Sequence, residues 1–150
     1  TILTNTNLNG AYFRGAVFWK ACMYNTLLEH ADLQMADMRY ADLNGAHLYH
    51  ASLRNGRLKG ANLSGADLRQ TSFTWADLRG ANLSQAKLTR TIFSNANLSG
   101  TNLTEARNIT NEQLAKARSL KNAILMDGQV YNPAIHDEIA RLRKSAGWND

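Results

Sequence analysis

The chain has 150 residues, 44% of them hydrophobic and 19% charged, with 17 Lys and Arg against 12 Asp and Glu and a net charge of +5. This is the length of one domain, its single cysteine excludes an internal disulfide framework or a Cys-based zinc site, and no apolar run reaches the roughly 18 residues of a membrane-spanning helix. A pI near 9.6 also excludes a strongly acidic surface.

From Leu3 to Leu103 every fifth residue is Leu, Phe or Met, without a slip in phase, and two places earlier stands Ala, Thr or Gly56. Period five fits neither standard element. On an α-helix the Leu positions would advance by about 140° each and smear around the cylinder. On a flat strand an odd period would send them to alternate faces. All of them stay inside only if the chain turns a corner once per repeat, which predicts a solenoid. Two places after the Leu, Gly (10, 15, 45, 60, 65, 80, 100) or Asn (5, 25, 55, 95) is common, as a type II turn favours. Asp or Asn just before the Leu suits the backbone groups left open at a bend.

The segments ADLQM, ADLNG, ANLSG, ADLRG and ANLSQ resemble the pentapeptide-repeat proteins, whose consensus is A-[D/N]-L-x-x. The resemblance covers about two-thirds of the chain. It implies an all-β solenoid, a right-handed quadrilateral β-helix with four repeats per coil and about five coils, Leu and Ala positions inside. On that basis residues 1–106 are expected to form the β-helix and 107–150 a helical cap on the last coil.

In the first two coils the outward positions are unusually apolar. Ile2, Tyr12, Val17, Trp19, Cys22, Tyr24 and Leu27 stand where Asp, Asn, Ser, Arg and Thr occur later. They predict a contact surface ringing the N-terminal end, used first of all for self-association. Cys22 is expected to be a partly exposed thiol, which favours a reducing compartment and so the cytoplasm. The chain starts at Thr1 without Met, so an upstream segment is expected to have been removed or omitted, and a lumenal or exported protein is the alternative.

Residues twenty apart should stack in columns. Arg57 then lies between Asp37 and Asp77, and Asp67 between His47 and Lys87, as charge ladders worth roughly 0.2–1 kcal/mol per pair. Asn62, Asn82 and Asn102 form an amide ladder below Asp42, and Phe13, Phe73 and Phe93 share an inner column. Arg39, Lys59 and Arg79 make a basic column, but residues 1–106 hold 10 basic and 7 acidic residues, a poor composition for nucleic-acid binding. His30 and His50 share an outer column near His47 without a convergent carboxylate, so no metal is expected. His136 is expected to be solvated on a helix.

Beyond Leu103 the rule fails at Asn108. Thr110 to Gln113 reads as a capping box opening a helix from Asn111 to about Leu120, with Leu114 and Leu120 on one side. Leu125 to Gly128 reads as a turn. Asn132 and Pro133 open a second helix whose stripe is Ile135, Ile139, Leu142 and Ala146, ended by Gly147. The tail also loosely resembles those of cyanobacterial members of the family.

No catalytic constellation, cofactor site or membrane attachment is expected. The functional expectation is a non-enzymatic rod presenting a fixed surface to a protein partner. The alternatives are a DNA mimic that binds type II topoisomerase, like the quinolone-resistance members of the family, and a nucleic-acid binder using the basic column. Mimicry needs an acidic surface, and the net charge opposes it.

Overall fold

A computed structural model describes residues 1–148. Parallel bridges join residues twenty apart without interruption, from Ile2 with Cys22 to Lys87 with Arg107. Leu-position amides donate forward, as Leu33 does to the Ser52 carbonyl at 2.8 Å, and from the second coil on the preceding amides donate backward, as Asp32 does to Ala11 at 2.9 Å. A third bond closes the corner, Ala36 N–H to Leu33 O at 3.1 Å. The straight part of each repeat is therefore very short, and each face contributes an isolated bridge to the ladder.

Period five becomes a coil because every corner carries one residue with left-handed backbone. The Gly and Asn positions take it, with φ +69° at Gly10 and +55° at Asn5. So do residues that pay conformationally for it, among them Met35, Tyr40 and Trp75 at φ +59°, +59° and +62°. Turn chemistry alone did not mark those three; the phase of the flanking Leu residues dictates them.

The Leu and Ala positions fill a continuous interior, with Leu33, Leu53, Leu63 and Leu83 completely buried. At the N-terminal end Leu3, Leu8 and Phe13 are only partly covered. Phe73 and Phe93 stack with centroids 5.7 Å apart and planes at 5°. Phe13 shares their column but meets Phe18 edge-on at 5.2 Å, since two Leu-containing coils separate it from Phe73.

The first helix, α1 (Asn111–Ala115), begins with the expected capping box between Thr110 and Gln113. It ends five residues short of the expectation. Coil-type bonds then resume, Leu98 N–H to Ser119 O at 2.9 Å and Leu103 N–H to Ile124 O at 2.7 Å. The bridges there join Asn97 to Ser119 and Asn102 to Ile124. Spacing has grown from twenty to twenty-two, and the loop containing α1 absorbs the two extra residues. Leu120 and Leu125 are Leu positions in this shifted phase, with Asn122 at φ +58° on the corner. The ladder thus runs past the boundary placed after Ala106, because closing backbone bonds and burying Leu120 outweighs continuing a short helix.

The expected turn forms, with Gly128 N–H donating to Leu125 O at 3.0 Å. The second helix, α2 (Asp137–Ser145), starts later than Asn132 suggests. Asn132 instead organises a turn, its Oδ1 accepting the Ala134 amide at 3.0 Å. Ile139 is buried and Leu142 half-buried, whereas Ile135 lies before the helix and is 62% exposed, so it is not part of the covering stripe. Gly147, at φ +85°, follows the helix end.

Candidate interaction surfaces

Strand alternation sends the residue before each Leu outward, and on the first coil this puts Tyr12 and Val17 at 90% and 71% exposure, with Ile2 at 80%. Trp19 (52%), Tyr24 and Cys22 are also exposed, and the Lys20 ammonium sits 4.6 Å from the Trp19 ring centroid. Leu27 is half-buried, because the coils on both sides pair with it through Asn7 and His47. Later in the coil the equivalent amides donate backward, as Asp32 and Asp37 do to Ala11 and Ala16. Those of Tyr12 and Val17 have no acceptor among the described residues. The apolar ring therefore surrounds an open β edge.

The expected charge ladders are rearranged. Arg57 reaches Asp37 at 3.3 Å but forms no ion pair with Asp77. Asp67 pairs with neither His47 nor Lys87 at ion-pair distance. Asp37, Asp67 and Asp77 instead pair with the arginines two residues on, Arg39, Arg69 and Arg79, each through Nε and Nη2 at 2.6–2.8 Å. Side chains two apart on a strand share a face, so Asp-x-Arg within one repeat closes a fork-to-fork pair that needs no help from the next coil. That spacing was legible in the sequence, and column counting missed it. The arginine hydrogen bonds hold all three carboxyls below their ordinary pKa, against the opposing effect of burial.

The amide ladder forms in part: Asn62 Nδ2 donates to Asp42 Oδ1 at 2.9 Å and Asn82 Nδ2 to Asn62 Oδ1 at 3.4 Å. Asn102 turns to its own corner, accepting from Thr104. The basic column is two-thirds neutralised: Arg39 and Arg79 are clamped by aspartates, whereas Lys59 forms no ion pair within 4.0 Å among the described residues. The same clamps neutralise three of the carboxylates that a DNA mimic would display, Asp37, Asp67 and Asp77.

His30 and His50 stack at 5.2 Å with planes at 13°, and the Tyr49 ring meets both edge-on. Arg69 lies over Tyr49, so this corner is a packed aromatic column. Among the described residues no group of three or more His, Cys, Asp or Glu is placed to hold a metal. His136 is not solvated: its Nδ1 lies 3.1 Å from both the Asn132 amide and carbonyl, and Nε2 lies 3.7 Å from Asp127.

Two further features escaped sequence reading. Thr26, Thr71, Thr91 and Thr101 occupy Ala positions, and each hydroxyl donates to the Leu carbonyl of the preceding coil at 2.7–2.9 Å. Arg143 is buried to 2% and its Nη1 donates to Ala117 O at 2.7 Å, tying α2 to the coil. No helix among the described residues is long and apolar enough to cross a membrane.

The family model described as pentapeptide repeats matches in eight copies, over residues 1–29, 31–70, 57–95 and 71–107. Comparison with curated proteins gives no match. Among solved structures, alr5209, a pentapeptide repeat protein from Nostoc PCC 7120, is 36% identical with a TM-score of 0.53, over 55% of this chain and 70% of that one. HetL from Nostoc sp. strain PCC 7120, a protein involved in heterocyst differentiation regulation, is 31% identical over 87% of this chain and 66% of its own, with a TM-score of 0.39. AT2G44920 from the Arabidopsis thaliana thylakoid lumen, at 19% identity and a TM-score of 0.50 over 93% and 87% of the two chains, shares the fold. Proteins of this kind fold as right-handed quadrilateral β-helices, and the twenty-residue ladder, the left-handed corners and the family match together place this chain in the pentapeptide-repeat family.

Proposed function

We propose that the protein is a non-enzymatic interaction module, a rigid rod of about five coils that ends in a C-terminal cap carrying α1 and α2. Tyr12, Val17, Trp19, Cys22, Tyr24 and Leu27 form its contact surface for a protein partner, in the first place a second copy of the chain. The observation that carries this reading is the coincidence of exposed apolar side chains with acceptor-less amides at Tyr12 and Val17.

An open β edge is a template for pairing, and soluble proteins commonly blunt it with charge, proline or a bulge. The first coil holds no proline and only Arg14 and Lys20 as charged side chains. Two such ends related by a two-fold axis present amides and carbonyls to each other in antiparallel sense, with little like-charge repulsion.

Sedimentation equilibrium over a wide concentration range tests the reading, on the wild type and on a Tyr12→Thr/Val17→Thr variant. A wild-type dimer that the variant abolishes is expected. A wild-type monomer at every concentration, or a dimer indifferent to the substitutions, overturns it.

A further inference from the structure

The last turn of the coil ends differently on adjacent faces. Beside Ala123–Leu125 the chain returns and pairs with itself. Tyr131 N–H donates to Ala123 O at 2.7 Å, Leu125 N–H donates to Gln129 O at 2.8 Å, and Ile124 faces Val130 in an antiparallel bridge. The preceding face, residues 118–122, carries no added strand among the described residues. One turn earlier, the amides of Leu98 and Gly100 donate forward to the carbonyls of Ser119 and Lys121 at 2.9 and 2.8 Å. Leu120 and Asn122 are the next residues in that series, and their amides have no acceptor among the described residues. The Leu120 side chain is 1% exposed, so a packed core fixes this edge.

The edge borders a cleft of about 460 Å³, walled by Arg118, Lys121, Asn122, Tyr131, Pro133 and Arg143, a volume within the range of binding clefts. Among the described residues its lining offers the exposed cations Arg118 and Lys121 and no carboxylate. Arg118 and Lys121 are exposed and form no ion pair among the described residues. Tyr131 and Pro133 supply an apolar wall.

We propose that this cleft takes an extended acidic peptide segment of a partner protein, bound as an added β-strand along residues 118–122. Backbone carbonyls of the guest accept from the Leu120 and Asn122 amides, which supplies affinity without sequence preference. Its acidic side chains face Arg118 and Lys121, which supplies selectivity and a faster encounter at low salt. The neighbouring face, where residues 129–131 already occupy the equivalent edge, shows that the end of this coil accepts a strand. The surface lies at the opposite end of the coil from the N-terminal ring and does not depend on it.

The test is an NMR titration of the full chain with a short peptide alternating Glu and Val, blocked at both ends. The same peptide with Lys for Glu, and a version N-methylated along its pairing edge, serve as controls. The Leu120 and Asn122 amide resonances are expected to shift and their hydrogen exchange to slow. Affinity should drop about tenfold in an Arg118→Glu/Lys121→Glu variant, whose exposed positions leave folding, checked by its thermal transition, intact. The N-methylated peptide, unable to lie against the edge, should fail to bind. No shift at these two amides up to millimolar peptide overturns the proposal, as does equal binding of the Lys or N-methylated peptide. Shifts confined to Tyr12 and Val17 overturn it too, since the peptide would then be using the N-terminal edge.

Discussion

Asp77 and Arg79 face the same way on one short strand, and their carboxylate and guanidinium close a bidentate pair at 2.8 and 2.7 Å. The arginine holds the Asp77 carboxyl below its ordinary value of 3.8, chiefly through these side-chain hydrogen bonds. A native pKa below the unfolded one means that the pair's contribution is complete above the unfolded value and disappears as pH falls through the native value. Arg79→Gln should therefore raise the Asp77 pKa toward 3.8, as read by carboxyl NMR titration. It should also lower Tm slightly at pH 7, by a margin that closes as pH falls through the native value of Asp77. An unchanged Asp77 titration would show the pair to be absent in solution.

The Thr71 hydroxyl donates to the Leu48 carbonyl at 2.7 Å inside the core. That carbonyl also accepts the Ala51 amide at 2.9 Å, so removing the hydroxyl does not orphan it. Thr71→Val, which keeps the shape, should cost about 0.5–1.5 kcal/mol in denaturant unfolding. A neutral result would mean that the hydroxyls at Thr26, Thr71, Thr91 and Thr101 contribute only volume.

Backbone strain at the corners makes a prediction of opposite sign. Trp75 holds φ +62° with its side chain about half-exposed. Trp75→Gly should be neutral or stabilise by up to about 1 kcal/mol, because relief of the left-handed penalty exceeds the entropy glycine loses on folding. The reverse change separates conformation from crowding. A Cβ on Gly80 meets nothing within 4 Å, so Gly80→Ala should cost about 1 kcal/mol from backbone strain alone. On Gly60 the new Cβ would stand 2.6 Å from the Tyr40 ring, so Gly60→Ala should cost measurably more. Equal losses in the two variants would show that the Tyr40 ring is free to swing away.

The interior was legible because the coil leaves one solution for a Leu every fifth residue, and the same count placed one corner in each repeat; the left-handed backbone was foreseen at the Gly and Asn positions but not at Trp75 or Met35. Charged partners were not. Stacking by twenty pairs Arg57 with Asp77, but Arg79 lies closer along its own strand and offers both nitrogens of its fork. The tail misled for a related reason. Residues 116–120 look helical by spacing, yet Leu120 and Leu125 restore the repeat two residues out of phase, a shift visible only once the ladder bonds are traced. Arg143 gave no hint of burial, since its acceptor, the Ala117 carbonyl, belongs to another element.

The claim that the first coil's open edge is where the rod meets its own kind is tested most directly by residue-resolved amide hydrogen exchange as a function of protein concentration. The Tyr12 and Val17 amides, which have no acceptor among the described residues, are predicted to gain protection as concentration rises, while Leu120 and Asn122 at the other end do not. Exchange at Tyr12 and Val17 that stays fast and independent of concentration would contradict it.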